Sequence, residues 1–171
     1  MRNIVLTGFM GTGKSAVAAE LARLTGMKHI DIDHEIERAA GMSIAEIFES
    51  VGEPRFRDIE AETIRRIARE TRGAVISTGG GAVMRDDNLD ALLERDGVIV
   101  CLTASAETVY NRTCKSTHRP LLRSADPLAR IKELLALRMP RYELADTMVD
   151  TDGLSPREVA EEILRRIKWT R

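Results

Sequence analysis

Eight residues near the amino terminus, GFMGTGKS from Gly8 to Ser15, combine three glycines, a lysine and a hydroxyl group. They follow an apolar run at 4–6 and fit the pattern G-x-x-x-x-G-K-[ST]. Glycines allow backbone N–H groups to converge on an anion, Lys14 can reach β- and γ-phosphates, and the Ser15 hydroxyl can bind Mg²⁺. The alternative is a plain glycine-rich turn, but a match at a strand-to-helix junction favours a nucleoside triphosphate site.

Two aspartates, Asp31 and Asp33 in the sequence DID, close the second predicted strand. Residues two apart on a strand point the same way, so we expect both carboxylates to face one space. One could hold Mg²⁺ beside Ser15, and the other could accept a hydrogen bond from a substrate hydroxyl. The alternative is that Asp33 only caps a helix beginning at His34. The neighbouring phosphate loop favours the functional interpretation.

Two other stretches could bind a small substrate. In TGGGAV, residues 78–83, three consecutive glycines permit close backbone approach, although they could equally form a flexible turn. In GEPRFRDIEAE, residues 52–62, Arg57 and Glu60 are three apart and therefore neighbours on one helical face. An arginine held by its own glutamate can offer a planar fork to a carboxylate. A surface ion pair is the simpler alternative for this pair.

The segment CKSTHRPLL, residues 114–122, interrupts the helical pattern and carries Lys115 and Arg119. A basic loop beside a triphosphate site could close over it, exclude water and supply charge to the transferred phosphoryl group. A solvated connector is an equal alternative on the pattern alone. Arg138, in RMPRY, stands near the end of the next helix and could be one more exposed base.

The composition bounds the class of protein. The chain has 171 residues, 43% hydrophobic and 31% charged, which is typical of a single soluble globular domain. A net charge of −1 gives no electrostatic reason to expect nucleic acid or an anionic membrane as a partner. Cys101 and Cys114 form neither a disulfide framework nor a metal pattern, so we expect a reducing cytoplasm. We expect neither a membrane span nor a signal peptide.

Short apolar runs alternate with helical patterns along the chain, which is typical of a mostly parallel sheet with helices on both faces. In such sheets ligands bind beyond the carboxyl ends of the strands. The predicted strands are Asn3–Thr7, Lys28–Ile32, Ala74–Thr78, Gly97–Leu102 and Thr147–Asp150. The predicted helices are Ser15–Leu24, Asp33–Arg72 with breaks near Gly41 and Gly52, Asp87–Arg95, Ala106–Cys114, Pro127–Leu144 and Ser155–Lys168.

Taken together, these motifs resemble the shikimate kinase family, small P-loop kinases of the nucleoside-monophosphate-kinase type. The resemblance covers essentially the whole chain. It is carried by GFMGTGKS, DID at 31–33, IFESVGEPRFRDIE, the triple glycine at 79–81, RPLL at 119–122 and RMPRY at 138–142. It implies an α/β, three-layer αβα fold of the P-loop NTPase type, with five parallel strands in the order 2-3-1-4-5.

The resemblance also implies an activity, the transfer of the γ-phosphoryl group of ATP to the 3-hydroxyl of shikimate. It implies one domain over 1–171, a shikimate-binding segment at about 33–61, a lid at about 113–123, a Mg²⁺ ion and a monomer. Lys14, Asp33 and Arg119 are the implied catalytic residues, and Ser15 and Asp31 the implied metal ligands. The implied ATP-binding residues are Gly11, Thr12, Gly13, Lys14, Ser15, Ala16, Arg112 and Arg119. The implied shikimate-binding residues are Asp33, Arg57, Gly79, Gly80, Gly81 and Arg138.

Three other functions compete with this one: a gluconate kinase of the same architecture, a non-catalytic shikimate sensor, and a general nucleotide-binding switch. Arg57 together with Arg138 and the triple glycine argues against the first. Lys14, Ser15 and Arg119 argue against a sensor. A switch would not need a carboxylate clamp.

Overall fold

One all-parallel sheet organises the chain, with its strands in the order β2–β3–β1–β4–β5. The structure is a computed structural model, and it describes residues 2–94, 96–114 and 126–169. The strands are β1 Ile4–Gly8, β2 Lys28–Asp31, β3 Ala74–Ser77, β4 Val98–Thr103 and β5 Thr147–Asp150. The predicted fold class and strand order are confirmed. The bounds of β5 match the prediction, β2 and β3 end one residue earlier than predicted, and β1 and β4 both begin and end one residue later.

Helices alternate with the strands, as the sequence pattern predicts. They are α1 Lys14–Thr25, α2 Ile32–Ala40, α3 Ile44–Glu70, α4 Asp86–Leu93, α5 Ala106–Thr113, α6 Pro127–Tyr142 and α7 Pro156–Arg166. Both predicted breaks are present. Gly41 ends α2 with a φ of 68°, and Gly52 interrupts α3 with a φ of 77° and a ψ of 167°. A left-handed or otherwise non-helical backbone of this kind is open to glycine at little cost.

The central strand β1 is buried on both faces and separates two apolar clusters. Val5 points into one cluster, which collects residues of α2 to α6. Ile4 and Leu6 point into the other, with residues of α1 and α7. Such double burial is typical of a parallel sheet covered by helices, and it accounts for the unbroken apolar run of β1. In the described part of the chain, no helix is long and apolar enough to cross a membrane.

The prediction that Asp31 and Asp33 share one strand is wrong. The strand ends at Asp31, and Ile32, which is fully buried, already begins α2. Asp31, rather than Asp33, caps this helix, because its Oδ1 accepts a hydrogen bond from the His34 N–H at 3.2 Å. Aspartate is a favourable capping residue, and the helix therefore starts earlier than predicted. Successive helical residues turn by about 100°, so the two carboxylates reach different neighbours.

Candidate active site

The phosphate loop connects β1 to α1 at the carboxyl edge of the sheet. Gly8, Gly11 and Gly13 all have positive φ, of 130°, 79° and 90°. At Gly8 a side chain is also excluded sterically, since a Cβ there would lie 2.2 Å from the Leu102 carbonyl oxygen. Gly13 caps α1 without a side-chain hydrogen bond, so the first N–H groups of the helix remain available to an anion.

The Lys14 ammonium folds back over this loop. Its Nζ donates hydrogen bonds to the carbonyl oxygens of Gly8 and Phe9, both at 2.8 Å. The buried Thr12 hydroxyl donates to the same Phe9 oxygen at 2.8 Å, which fixes the turn from inside. The loop therefore carries its cation at its centre, where phosphate oxygens would bind. Gly11, Thr12, Gly13, Ser15 and Ala16 lie along the same turn and the start of α1.

Asp31 faces the phosphate loop. Its Oδ2 accepts hydrogen bonds from the Ser15 hydroxyl at 3.2 Å and from the Ser77 hydroxyl at 2.8 Å. Ser77 is its register partner on the neighbouring strand β3. One hydroxyl and one carboxylate in contact form an oxygen donor set that suits Mg²⁺, which usually takes one or two protein ligands together with water and phosphate. The two predicted metal ligands are therefore adjacent.

Beside the loop lies a cavity of about 580 Å³. Its wall joins five parts of the chain: Met10 of the phosphate loop, α2, the kinked helix α3 with the preceding Ser43, the triple glycine after β3, and α6. Basic and acidic side chains both face it, and Phe48 and Phe56 contribute stacked aromatic surface with ring centroids 4.4 Å apart. The charged lining residues are Asp33, Glu37, Glu53, Arg57, Glu60 and Arg138.

Arg57 is held in place by two glutamates on its own helix. Its Nη1 donates to Glu60 Oε2 at 2.8 Å, and its Nη2 donates to Glu53 Oε1 at 3.0 Å. Glu60 is fully buried, and its Oε1 has no hydrogen-bond partner among the described residues. The guanidinium also lies 5.2 Å from the centroid of the Phe56 ring. The ion pair predicted for Arg57 and Glu60 is therefore part of a buried wall and not a surface pair.

Asp33 lies in the same cavity, on the side of Lys14. Burial raises the pKa of its carboxyl to about 6, with further contributions from the nearby charges of Glu60 and Asp31, while Lys14 lowers it. Burial likewise raises the pKa of Glu60, against the opposing effect of Arg57. A carboxylate with a pKa close to neutral is suited to accept a proton from a hydroxyl.

Arg138 is not the exposed base that its position near a helix end allows. It is 9% exposed, and its guanidinium lies 5.6 Å from the centroid of the Phe9 ring. Its Nη1 contacts the Gly80 carbonyl oxygen at 3.5 Å. Arg57 and Arg138 therefore both reach the triple glycine, because a Cβ at Gly81 would lie 2.6 Å from Arg57 Nη2. A side chain at Gly81 would therefore displace the Arg57 guanidinium from its position beside the loop.

Arg112 connects the phosphate loop to the segment after β5. Its Nη1 donates to the Gly11 carbonyl oxygen at 3.3 Å and to Thr151 Oγ1 at 3.0 Å. This position, beside the loop and away from the acceptor cavity, is consistent with contact to a nucleotide. Arg119, and the predicted lid at 113–123 beyond Cys114, lie outside the described residues, so their roles stay predictions.

Several residues of the site escaped sequence reasoning. Glu37 and Glu53 line the cavity, Ser77 supports Asp31, and Tyr142 contacts the glycine loop. Glu37 and Ser77 belong to no motif, and Glu53 lies within GEPRFRDIEAE without a signal that separates it from the other charged residues there. RMPRY ends in Tyr142, however, and the spacing of four between Arg138 and Tyr142 places both side chains on one face of α6. That spacing is the signal that could have found Tyr142.

The fold, together with the loop at the carboxyl edge of the sheet, defines the class of protein. A five-stranded parallel sheet in this order, with a glycine-rich loop between β1 and α1, belongs to proteins of the P-loop NTPase type. The adjoining cavity, with arginines and carboxylates on its walls, adds a place for a small polar acceptor.

Comparison with known proteins identifies the family. The shikimate kinase family model matches residues 10–168. A shikimate kinase from Thermodesulfovibrio yellowstonii is 53% identical over 165 residues, which cover 96% of this chain and 94% of the relative. The chain therefore belongs to the shikimate kinase family.

Solved structures agree with this family. A shikimate kinase from Acinetobacter baumannii in complex with shikimate superposes with a TM-score of 0.92 at 37% identity, covering 98% of this chain and 93% of that one. A gluconokinase from Sinorhizobium meliloti reaches a TM-score of 0.62 at 20% identity, covering 98% of this chain and 91% of that one. The second likeness extends to the fold alone.

Proposed function

We propose that this protein is a kinase that transfers the γ-phosphoryl group of ATP to the 3-hydroxyl of shikimate, on the route to aromatic amino acids. The observation that carries the proposal is the polarity of the acceptor cavity. Arg57 and Arg138 provide cationic groups, while Asp33 provides a carboxylate on the side of Lys14. Shikimate has the matching polarity, with a carboxylate at one end of its ring and hydroxyls at the other.

On the acceptor side, Arg57 and Arg138 bind the shikimate carboxylate through charge-assisted hydrogen bonds. Backbone groups of Gly79, Gly80 and Gly81 close the pocket around the ring. Asp33 accepts a hydrogen bond from the attacking hydroxyl and takes its proton as the new bond forms. The oxygen–phosphorus bond to shikimate forms while the bond between the β–γ bridging oxygen and the γ-phosphorus breaks, and ADP leaves with that electron pair.

On the donor side, the N–H groups at Gly11 to Ala16 bind the phosphates of ATP. Lys14 moves from its carbonyl partners to the transferred phosphoryl group and neutralises charge there. Ser15 and Asp31 would hold Mg²⁺, which would neutralise phosphate charge and orient the phosphate oxygens. Arg112 contacts the nucleotide beside the loop. Arg119 is proposed as a lid arginine on the family resemblance alone.

The test is a coupled assay of ADP release from Mg²⁺-ATP with shikimate, gluconate or a nucleoside monophosphate as acceptor. We expect turnover with shikimate alone, and a product that ³¹P NMR identifies as the 3-phosphate. Omission of Mg²⁺ in the presence of a chelator should abolish turnover. Faster turnover with gluconate, or none with shikimate while ATP still binds, would contradict the proposal.

Four further features are proposed with the function. The family resemblance supports a monomer, a single domain over 1–171 with its shikimate-binding segment at about 33–61, and a lid at about 113–123. The free thiols of Cys101 and Cys114 support a cytoplasmic location. Size-exclusion chromatography with light scattering tests the first of these. Hydrogen exchange that slows at 113–123 only when ADP and shikimate are both present tests the lid.

A further inference from the structure

Tyr142, the last residue of α6, has a buried phenol whose hydroxyl points at the glycine loop. It is 1% exposed, and its hydroxyl donates a hydrogen bond to the Gly80 carbonyl oxygen at 2.7 Å. The other contact to this oxygen, from Arg138 Nη1, is much longer at 3.5 Å. Burial raises the pKa of Tyr142 to about 12, against the opposing effect of the Arg138 guanidinium, so the hydroxyl keeps its proton near neutral pH and can donate.

The loop that Tyr142 holds contacts both sides of the candidate active site. A Cβ at Gly79 would lie 2.9 Å from Glu60 Oε1 and 3.0 Å from Asp33 Oδ1. A Cβ at Gly80 would lie 3.2 Å from the Gly8 carbonyl oxygen of the phosphate loop. With no side chains of their own, the glycines cannot fix their orientation by packing, and their backbone is free to adopt many conformations. Within the loop, the Ala82 N–H donates a hydrogen bond to the Gly79 carbonyl oxygen at 3.1 Å, and a turn closed in this way is compatible with either direction of the Gly80–Gly81 peptide. A contact to the Gly80 carbonyl selects one direction.

The hydrogen bond from Tyr142 sets the direction of a single peptide group. In the trans Gly80–Gly81 peptide, the N–H points opposite to the carbonyl. The Gly80 carbonyl is directed at Tyr142 and, at a longer distance, at Arg138, so the Gly81 N–H points the opposite way, and Gly81 lines the cavity. This N–H has no hydrogen-bond partner within the described residues. It is therefore available to a ligand.

We propose that Tyr142 is a positioning residue for the acceptor: its hydroxyl holds the Gly80 carbonyl outward, so that the Gly81 N–H faces the bound substrate next to Arg57. This inference rests on the proposed function, because it takes the cavity as the shikimate site. Tyr142 itself does not touch the substrate. It acts through the Gly80–Gly81 peptide.

The experiment compares Tyr142→Phe, which removes only the hydroxyl, with Tyr110→Phe. Tyr110 is the other tyrosine of the chain and packs on α5 against the apolar core, away from the cavity lining. One hydrogen bond between neutral groups corresponds to a change of about three- to tenfold. We therefore expect the KM for shikimate to rise by about that factor in Tyr142→Phe. The KM for ATP should stay within twofold, kcat should fall less than the shikimate KM rises, and Tyr110→Phe should match the wild type.

The outcomes separate the two proposals. No turnover of shikimate by the wild type would overturn the proposed function itself. Wild-type turnover with an unchanged shikimate KM in Tyr142→Phe, or with KM values for ATP and shikimate raised equally, would overturn only the role of Tyr142. A merely structural role would lower the melting temperature and reduce kcat without this selective effect on shikimate.

If Tyr142→Phe does not fold, the Tyr110→Phe variant labelled with 3-fluorotyrosine carries its fluorine at Tyr142 alone. Addition of shikimate should then shift the ¹⁹F resonance, and addition of ADP alone should leave it in place. A ¹⁹F resonance that does not shift when shikimate is added, in a variant that still phosphorylates shikimate, would contradict the proposal.

Discussion

On the nucleotide side of the site, one continuous stretch from Gly8 to Ser15 supplies the phosphate loop, mainly through its backbone. On the acceptor side, separate segments of the chain supply side chains, among them Asp33, Arg57 and Arg138, and the triple glycine adds backbone groups. A loop built from backbone groups depends on glycine conformation and on one central cation. A pocket built from side chains divides its work among several groups. Substitutions in the phosphate loop should therefore cause large losses of activity. Substitutions in the acceptor pocket should cause smaller losses that mainly affect the acceptor substrate.

The largest effect is expected from Lys14→Met. The ammonium lies at the centre of the phosphate loop, 2.8 Å from two carbonyl oxygens. Its loss removes the charge that stabilises the transferring phosphoryl group, so kcat should fall roughly a thousandfold or more in a folded protein. The ADP assay together with circular dichroism measures this, with Lys28→Met, at the exposed start of β2, as the matched control. A variant within a few-fold of the wild type would remove Lys14 from the mechanism.

The second largest loss of activity is expected from Asp33→Asn, and it should appear as a lower kcat. An amide cannot take the proton of the attacking hydroxyl, so kcat should decrease by about a hundredfold or more, with little change in the KM for ATP. Initial rates with each substrate varied in turn measure this, and Asp90→Asn on the exposed face of α4 is the control. A parallel loss of ATP affinity would mean that the two sides of the site are not separable.

Arg57→Lys should have a smaller effect, confined to the acceptor. Lysine keeps the positive charge but loses the planar fork that Glu60 and Glu53 now hold in place. Since a charge-assisted hydrogen bond contributes about 1.5–3 kcal/mol, kcat/KM for shikimate should fall by about ten- to a hundredfold. Arg55→Lys, on the exposed face of the same helix, serves as control. If ATP binding weakened instead of shikimate binding, the acceptor pocket would have been assigned to the wrong residues.

The smallest effect concerns the stability of the unliganded protein. The pKa of Asp33 is raised from 3.8 to about 6 in the folded state, so the folded protein binds this proton more tightly than the unfolded chain. The stability associated with the protonated form is fully present below pH 3.8 and is lost as pH rises through about 6. Asp33→Asn should therefore increase the free energy of unfolding at pH 8 by up to about 3 kcal/mol, and change it little near pH 4.

Urea unfolding of both proteins across this pH range measures the difference, and Asp90→Asn should show no such pH dependence. A destabilised Asp33→Asn at pH 8 would mean that the carboxylate is better solvated than its burial indicates. The same residue would then contribute to turnover without a cost in stability.

The contrast between the two sides also explains which features of the fold and of the site can be predicted from the sequence. The phosphate loop and the strands can be predicted because their signals are local: a motif of eight residues, and apolar runs such as that of β1. The burial of Arg138 and of Glu60 cannot, because it depends on how α6 and α3 pack against the glycine loop. That Asp31 ends a strand while Asp33 lies in a helix cannot be predicted for a third reason, because the change from strand to helix occurs at a single residue, Ile32.

The strand order has a consequence for how this chain is made. The amino-terminal strand β1 lies in the middle of the sheet and pairs with β3 and β4, which begin at Ala74 and Val98. During synthesis from the amino terminus, β1 leaves the ribosome before β3 and β4, and it acquires both neighbours only after the chain through Thr103 has emerged. The nascent chain therefore carries its Gly8–Ser15 segment without both neighbouring strands until β4 has emerged. A stalled ribosome complex should therefore bind a nucleotide only once β4 has emerged and β1 has paired with both neighbours.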